Sequence, residues 1–349
     1  MKRAILAMLV TIFPLTAAAQ DAPAPQPAGA DTAAATSATP DAASQPGMMR
    51  RTRRRGSMVG YVEDATVASH FRVRFDSGWD IDSPDRAEFF YAKCGCFRGL
   101  TGTQAFDPAA PGPGPGVVTA MNYQELRLLT EYAAGHRASV FVELPFRWIK
   151  PTAFAPGTGS FGNQSGLGDI RIGTKVALST TDGHDVTVMV RGSVPTGDSL
   201  KGLGTDHGSV EPAILYRQGL GGRMQIESEF GDWHPTGSSK GPLPGNGNFA
   251  SDVLYYGVGP SIDLVQTRNV RFAPVVELVG WHVFGGYQTA TFNPPASSGD
   301  ASGINVVNLK VGARTSMANG GSFYVGYGFA LTNNVWYDKI LRLEYRTKF

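Results

Sequence analysis

No stretch of this chain beyond its first fifteen residues is apolar over the roughly 20 positions that a bilayer-spanning helix needs. If the protein enters a membrane it must do so as a closed barrel, because only helices and barrels satisfy every backbone polar group in lipid. Charge is scarce too, with Asp, Glu, Lys and Arg making up 17% of the 349 residues. Cysteine is confined to Cys94 and Cys96, so a metal held there would need ligands from elsewhere in the chain. Nucleotide cradles are missing, since glycine pairs such as Gly221-Gly222 belong to turns. A nucleophile with its base is missing as well. The six histidines are scattered, Ser165 lacks nucleophile-elbow spacing, and Asp206, His207 and Ser209 form a loop cluster of a kind that arises by chance. No catalytic residue, metal or cofactor is therefore expected.

What is present begins with an export signal. Lys2 and Arg3 precede an apolar run, Ala4 to Leu15, and small residues follow at Thr16-Ala17-Ala18-Ala19. Cleavage after Ala19 leaves Gln20 first, not a cysteine, which argues against a lipid anchor. Loss of the leader takes the bases from 31 to 29 against 29 acids, so the basic pI says nothing about nucleic acid. Residues 20–57 are expected to form a disordered periplasmic tether, built mainly from Ala, Pro, Asp, Gln, Thr and Ser. Near its end, Arg50-Arg51-Thr52-Arg53-Arg54-Arg55 reads either as a solvated charge run or as a contact for anionic headgroups or cell-wall polymer.

Residues 58–349 are expected to form the barrel, and from about residue 68 onward the chain reads as alternating strands. With 44 glycines and 12 tyrosines, the chain is rich in turn and strand residues. Phe71, Val73 and Phe75 alternate with Arg72 and Arg74, and Val140, Val142, Leu144, Phe146 and Trp148 with Glu143 and Arg147. The same period-2 pattern continues to the C-terminus and gives about twelve strands, an even number as bacterial single-chain barrels require. Tight connections at 134–136, 181–184, 219–222, 266–269 and 317–321 alternate with long ones at 78–121, 150–166, 197–207, 234–250 and 285–302. The last hairpin, 332–338, is short. Short periplasmic turns with long outer loops show this rhythm, which puts both termini in the periplasm. The fold expected is all-β, an up-and-down antiparallel transmembrane barrel. On the final strand Leu341, Leu343, Tyr345 and Phe349 share one face, which resembles the C-terminal signal read by the barrel-assembly machinery, with polar Thr347 as a departure from it.

Alternation also assigns the faces. A basic side chain facing lipid at mid-depth costs about 2–4 kcal/mol. Arg127, Glu131, Glu143, Arg147, Asp169, Arg171, Lys175 and Arg191 are therefore expected to line the lumen. So are Glu211, Arg217, Glu227, Glu229, Arg271, Glu277, Lys310, Arg314, Arg342, Glu344 and Arg346. Two readings stay open: these charges fill the interior and pair, or they form a polar path for solute. In the first long loop Cys94 and Cys96 are open to a strained disulfide, two free thiols or metal binding, among Phe89, Phe90, Tyr91 and Phe97.

Gly166-Leu167-Gly168-Asp169 opens a strand running on through Ile170-Arg171-Ile172-Gly173-Thr174-Lys175. It is followed by Val194-Pro195-Thr196-Gly197-Asp198 and Leu203-Gly204-Thr205. This order resembles the outer-membrane family associated with the meta-pathway of phenol degradation, whose members are often labelled transporters. The resemblance covers roughly residues 120–349. It implies a porin-like barrel in the outer membrane of a Gram-negative cell and uptake of small organic solutes, aromatic ones among them. The expected partners are outer-membrane lipid and lipopolysaccharide, the assembly machinery and a small-molecule solute, with no nucleic acid. The alternative is a closed structural or adhesive barrel whose long loops bind an external partner, and a third reading is a surface hydrolase.

Overall fold

The structure, a computed structural model, describes residues 56–81 and 118–349 except 155, 158, 182, 199–200, 206, 237–249 and 292–296. Of 287–291 and 297–299 it describes the backbone alone. The leader, residues 20–55 of the expected tether with its arginine cluster, and Cys94 and Cys96 lie outside the described residues.

The strands are β1 (His70–Ile81), β2 (Val118–Ala134), β3 (Ala138–Phe154), β4 (Gln164–Leu167), β5 (Ile170–Thr180), β6 (His184–Val194), β7 (Ser209–Leu220) and β8 (Met224–Pro235). They continue with β9 (Val253–Ile262), β10 (Val265–Gln266), β11 (Val270–Val283), β12 (Tyr287–Thr291), β13 (Ser297–Asp300), β14 (Asn305–Met317), β15 (Gly321–Ala330) and β16 (Lys339–Lys348). Each long strand pairs antiparallel with its neighbour, β9 pairs with β11, and β16 returns to β1, so 12 strands close into a barrel. The short β4 extends the pairing of β3, β10 that of β11, and β12 and β13 form a separate hairpin. Closure leaves no open edge, which is what lipid demands of a sheet.

The pleat sorts the residues as alternation anticipates. Val142, Ile172, Ile214, Val276 and Val325 are exposed on the outer face, where they form an apolar band. Tyr132, Phe323, Tyr345 and Phe349 mark its short-turn end, and Trp148, Phe284 and Phe329 its loop end, as aromatic girdles do at the two interfaces of a bilayer. Leu341 and Leu343 share the outer face of β16 with Tyr345, while Arg342, Glu344 and Arg346 are buried inside. At the short turns Gly221 (φ 77°) and Gly320 (φ 91°) take the left-handed conformation that side chains resist.

The first strand begins at His70, close to residue 68, from which alternation is expected. Residues 56–69 form no strand, because their apolar and acidic side chains do not alternate and their backbone finds partners inside the barrel. The first two long connections are shorter than expected: β1 runs to Ile81, β2 starts at Val118, and β3 runs to Phe154 before β4 pairs with it.

Candidate functional site: the occupied lumen

Residues 56–69 enter the barrel from the short-turn end, bend at Gly60–Val62 and return to the same end, where β1 begins. Six consecutive amides are bound by carboxylates of the wall. Met58 and Val59 donate to Glu227 Oε1 at 2.8 and 3.4 Å, and Gly60, Tyr61 and Val62 donate to Glu277 at 3.0, 2.8 and 2.8 Å. Glu63 donates to Glu229 at 3.0 Å.

Six carbonyls of the segment are met from the wall as well. Arg271 donates to Gly56 (3.0 Å), Arg314 to Met58 and Val59 (3.3 and 2.7 Å), and Arg342 to Gly60 (2.7 Å). Lys175 donates to Asp64 (3.0 Å) and Thr187 to Ala65 (2.6 Å). Buried backbone groups must be paired somewhere, and here a segment without secondary structure is paired by side chains. Its own acids complete the fit. Glu63 accepts from Arg72 at 2.8 Å and Asp64 from Arg346 at 2.5 Å.

The wall is shaped for the segment. A Cβ on Gly259 would overlap Val59, and one on Gly257 would come within 2.8 Å of Val62. A Cβ on Gly60 would overlap the ring of Tyr324, whose hydroxyl donates to Glu277 at 2.9 Å. Tyr61 is held between two cations, with Arg342 Cζ 4.1 Å and Lys310 Nζ 4.0 Å from its ring centroid. Lys310 also donates to the Tyr337 hydroxyl at 2.6 Å, which ties the bend to the β15–β16 connection above it.

Around the segment the remaining charges pair with each other. Glu125 joins Arg127 and Arg147, and Glu143 joins Arg72 and Arg171, each at 3.3 Å. Lys175 reaches Glu131 (3.2 Å), Arg191 pairs with Glu211, and Arg217 Nε donates to Asp185 (2.7 Å). Arg271 bonds Asp263 (2.6 Å), and Arg342 grips both oxygens of Asp76 (2.6 and 2.7 Å). Glu344 gathers Arg74, Arg314 and Arg346. Of the nineteen charges expected inside, the eight from Arg127 to Arg191 fall on the inner side of the wall, and seven of those eight form a paired interior around the segment. The sequence pattern left out Glu125, Asp76 and Asp185, although each shares the inward parity of its strand, and Asp263, which follows the end of β9.

Asp169 has a different place. It sits at the loop end, where its carboxylate accepts from Gly197 N (3.0 Å), Thr205 N (2.8 Å) and Thr205 Oγ1 (2.9 Å). Thr196 Oγ1 accepts from Ile170 N (2.9 Å) and donates to Gly168 O (3.1 Å). A Cβ on Gly197 or Gly204 would strike the other strand of this crossing. The Gly-Leu-Gly-Asp and Thr-Gly motifs are therefore one structural knot that folds the loop inward and buries Leu203.

Leu203 joins an apolar collar at the loop end, with Tyr123, Ile149, Trp233, Val253, Val283, Trp336, Tyr337 and Ile340. Trp281 packs against Trp336 at a centroid distance of 4.8 Å. His207 directs Nδ1 to the carbonyl of Gly208 (3.0 Å) and stacks edge-on to Trp233, a structural placement.

A closed antiparallel barrel with an apolar outer band and a charged interior is an outer-membrane barrel. The sequence model of a family described as "Putative MetA-pathway of phenol degradation" matches residues 116–231, the wall that carries the Asp169 knot, and bears out the resemblance drawn from the motifs. No curated protein matches the chain by sequence. Among solved structures, an outer membrane channel from Pseudomonas putida F1 is similar at 16% identity, covering 83% of this chain and 99% of its own, with a TM-score of 0.48. The β domain of the Bordetella autotransporter BrkA has 12% identity over 81% of this chain and all of its own, with a TM-score of 0.44. LpxR from Salmonella typhimurium has 10% identity over 80% of this chain and all of its own, with a TM-score of 0.41.

Proposed function

We propose that the protein is an outer-membrane channel for passive passage of small organic solutes, shut here by residues 56–69. One observation carries this reading. Residues 56–68 are held in the lumen by side chains, and among the described residues no backbone-to-backbone hydrogen bond joins them to the wall. The 12-stranded ladder closes without them, so they can leave without breaking it. Aromatic solutes, which the family resemblance implies, would meet the collar of Tyr123, Trp233, Trp281, Trp336 and Tyr337. Residues 20–55 then serve as the periplasmic tether, and the outward Leu341, Leu343, Tyr345 and Phe349 as the assembly signal.

A second reading is a closed structural barrel, favoured by the near-complete burial of Arg72, Arg217 and Arg314. Breaking a buried charge pair costs about 3–5 kcal/mol, so such an interior resists opening. Planar-bilayer recording of the refolded protein separates the two. A channel shows discrete openings, more frequent in Gly60→Leu, whose side chain overlaps Tyr324. A barrel silent in both forms is the structural one.

A further inference from the structure

Three lumen carboxylates lack what the others have. Glu227, Glu229 and Glu277 take part in no ion pair among the described residues, whereas Glu125, Glu131, Glu143, Glu211 and Glu344 each hold a base. They lie on one arc of wall, β8 to β11, and the floor between them is Gly257 and Gly259. Beside the Gln225 amide and the Tyr324 hydroxyl, the donors this arc meets are peptide N–H groups, six in succession. Arg314 and Arg342, on β14 and β16, meet carbonyls of the same stretch.

An array that offers acceptors to one edge of a chain and guanidinium donors to the other recognises a backbone, whatever its sequence. Side chains are read at few points: a residue without Cβ over Tyr324, small apolar groups over the glycine floor, and an acidic pair that meets Arg72, Lys175 and Arg346. We propose that the lumen is a binding site for short oligopeptides that fold back at their middle, filled in cis by residues 56–65, and that short acidic peptides are a solute class of the channel. As a solute claim this rests on the channel reading; as a binding site it does not.

The test uses the full chain with a protease site inserted after Ala68, refolded and then cut. A fluorescent peptide with the sequence of residues 56–67 should bind saturably and be displaced by the same peptide unlabelled. A version N-methylated at Tyr61 and Val62 loses two donors to Glu277 and should bind at least tenfold more weakly. If the native segment stays bound after cutting, uncut Gly60→Leu provides the vacated site and the same criteria apply. A peptide that binds neither barrel, or an N-methylated peptide that binds equally well, overturns the proposal. Bilayer recording keeps the two claims apart. Peptide binding in a silent barrel removes the channel and the solute role but leaves the site, whereas conductance without peptide binding removes the site and leaves the channel.

Discussion

Replacing Glu277 with alanine should release the segment from the lumen. Its fully buried carboxylate accepts from the amides of Gly60, Tyr61 and Val62 and from the Tyr324 hydroxyl. A hydrogen bond to a charged group contributes about 1.5–3 kcal/mol, so three amides forfeit about 4–9 kcal/mol if the segment stays in place. The substitution also removes a buried charge, which offsets part of that loss. Leaving for water satisfies the amides at once, and the lower figure already shifts the bound-to-released ratio about a thousandfold, at 1.4 kcal/mol per tenfold. The wall keeps its ladder, so the melting temperature should change little. Single-channel recording reads the effect as a rise in open fraction, with heat-modifiable gel migration confirming a folded barrel. An unchanged open fraction in a conducting, folded Glu277→Ala barrel would refute the reasoning.

Three further changes probe other parts of the account. Arg314→Met removes donors from Met58, Val59 and Glu344 in a buried interior and should cost about 3–5 kcal/mol, measured as a lowered urea midpoint. Asp169→Ala unties Gly197 and Thr205, and limited proteolysis should then cut within 197–205 while the barrel remains intact. A cleavable tag at Gly245, in the β8–β9 connection, should be cut on intact cells and one at Gly183 should resist. The reverse pattern would turn the topology upside down.

The wall was legible because lipid enforces the period-2 rule. Arg72 and Arg74 had to point inward and Phe71, Val73 and Phe75 outward, whatever their partners. The rule weakens at the loop end, where Trp233, Val253 and Trp281 share the inward parity but pack as an apolar collar under inward-folded connections. The segment at 56–69 was not legible, because it has no period and its partners stand far away in the chain, Glu277 being 217 residues from Gly60. A faint signal existed all the same. Glu229 faces Leu215 on one neighbouring strand and Gly257 on the other, an inward acid with no base beside it. The Asp169 motif was found through family resemblance, but its role as a knot between 169, 197 and 205 needed the geometry.

The most direct test of the closed lumen is a reducible staple. Val59 Cβ lies 3.6 Å from where a Cβ on Gly259 would stand, within the roughly 3.5–4.5 Å a disulfide spans. Val59→Cys with Gly259→Cys, in a chain carrying Cys94→Ser and Cys96→Ser, should be silent in a planar bilayer when oxidised and should open on addition of a thiol reductant. Equal conductance before and after reduction, with the bridge verified by mass spectrometry, would contradict the claim that residues 56–69 close the channel.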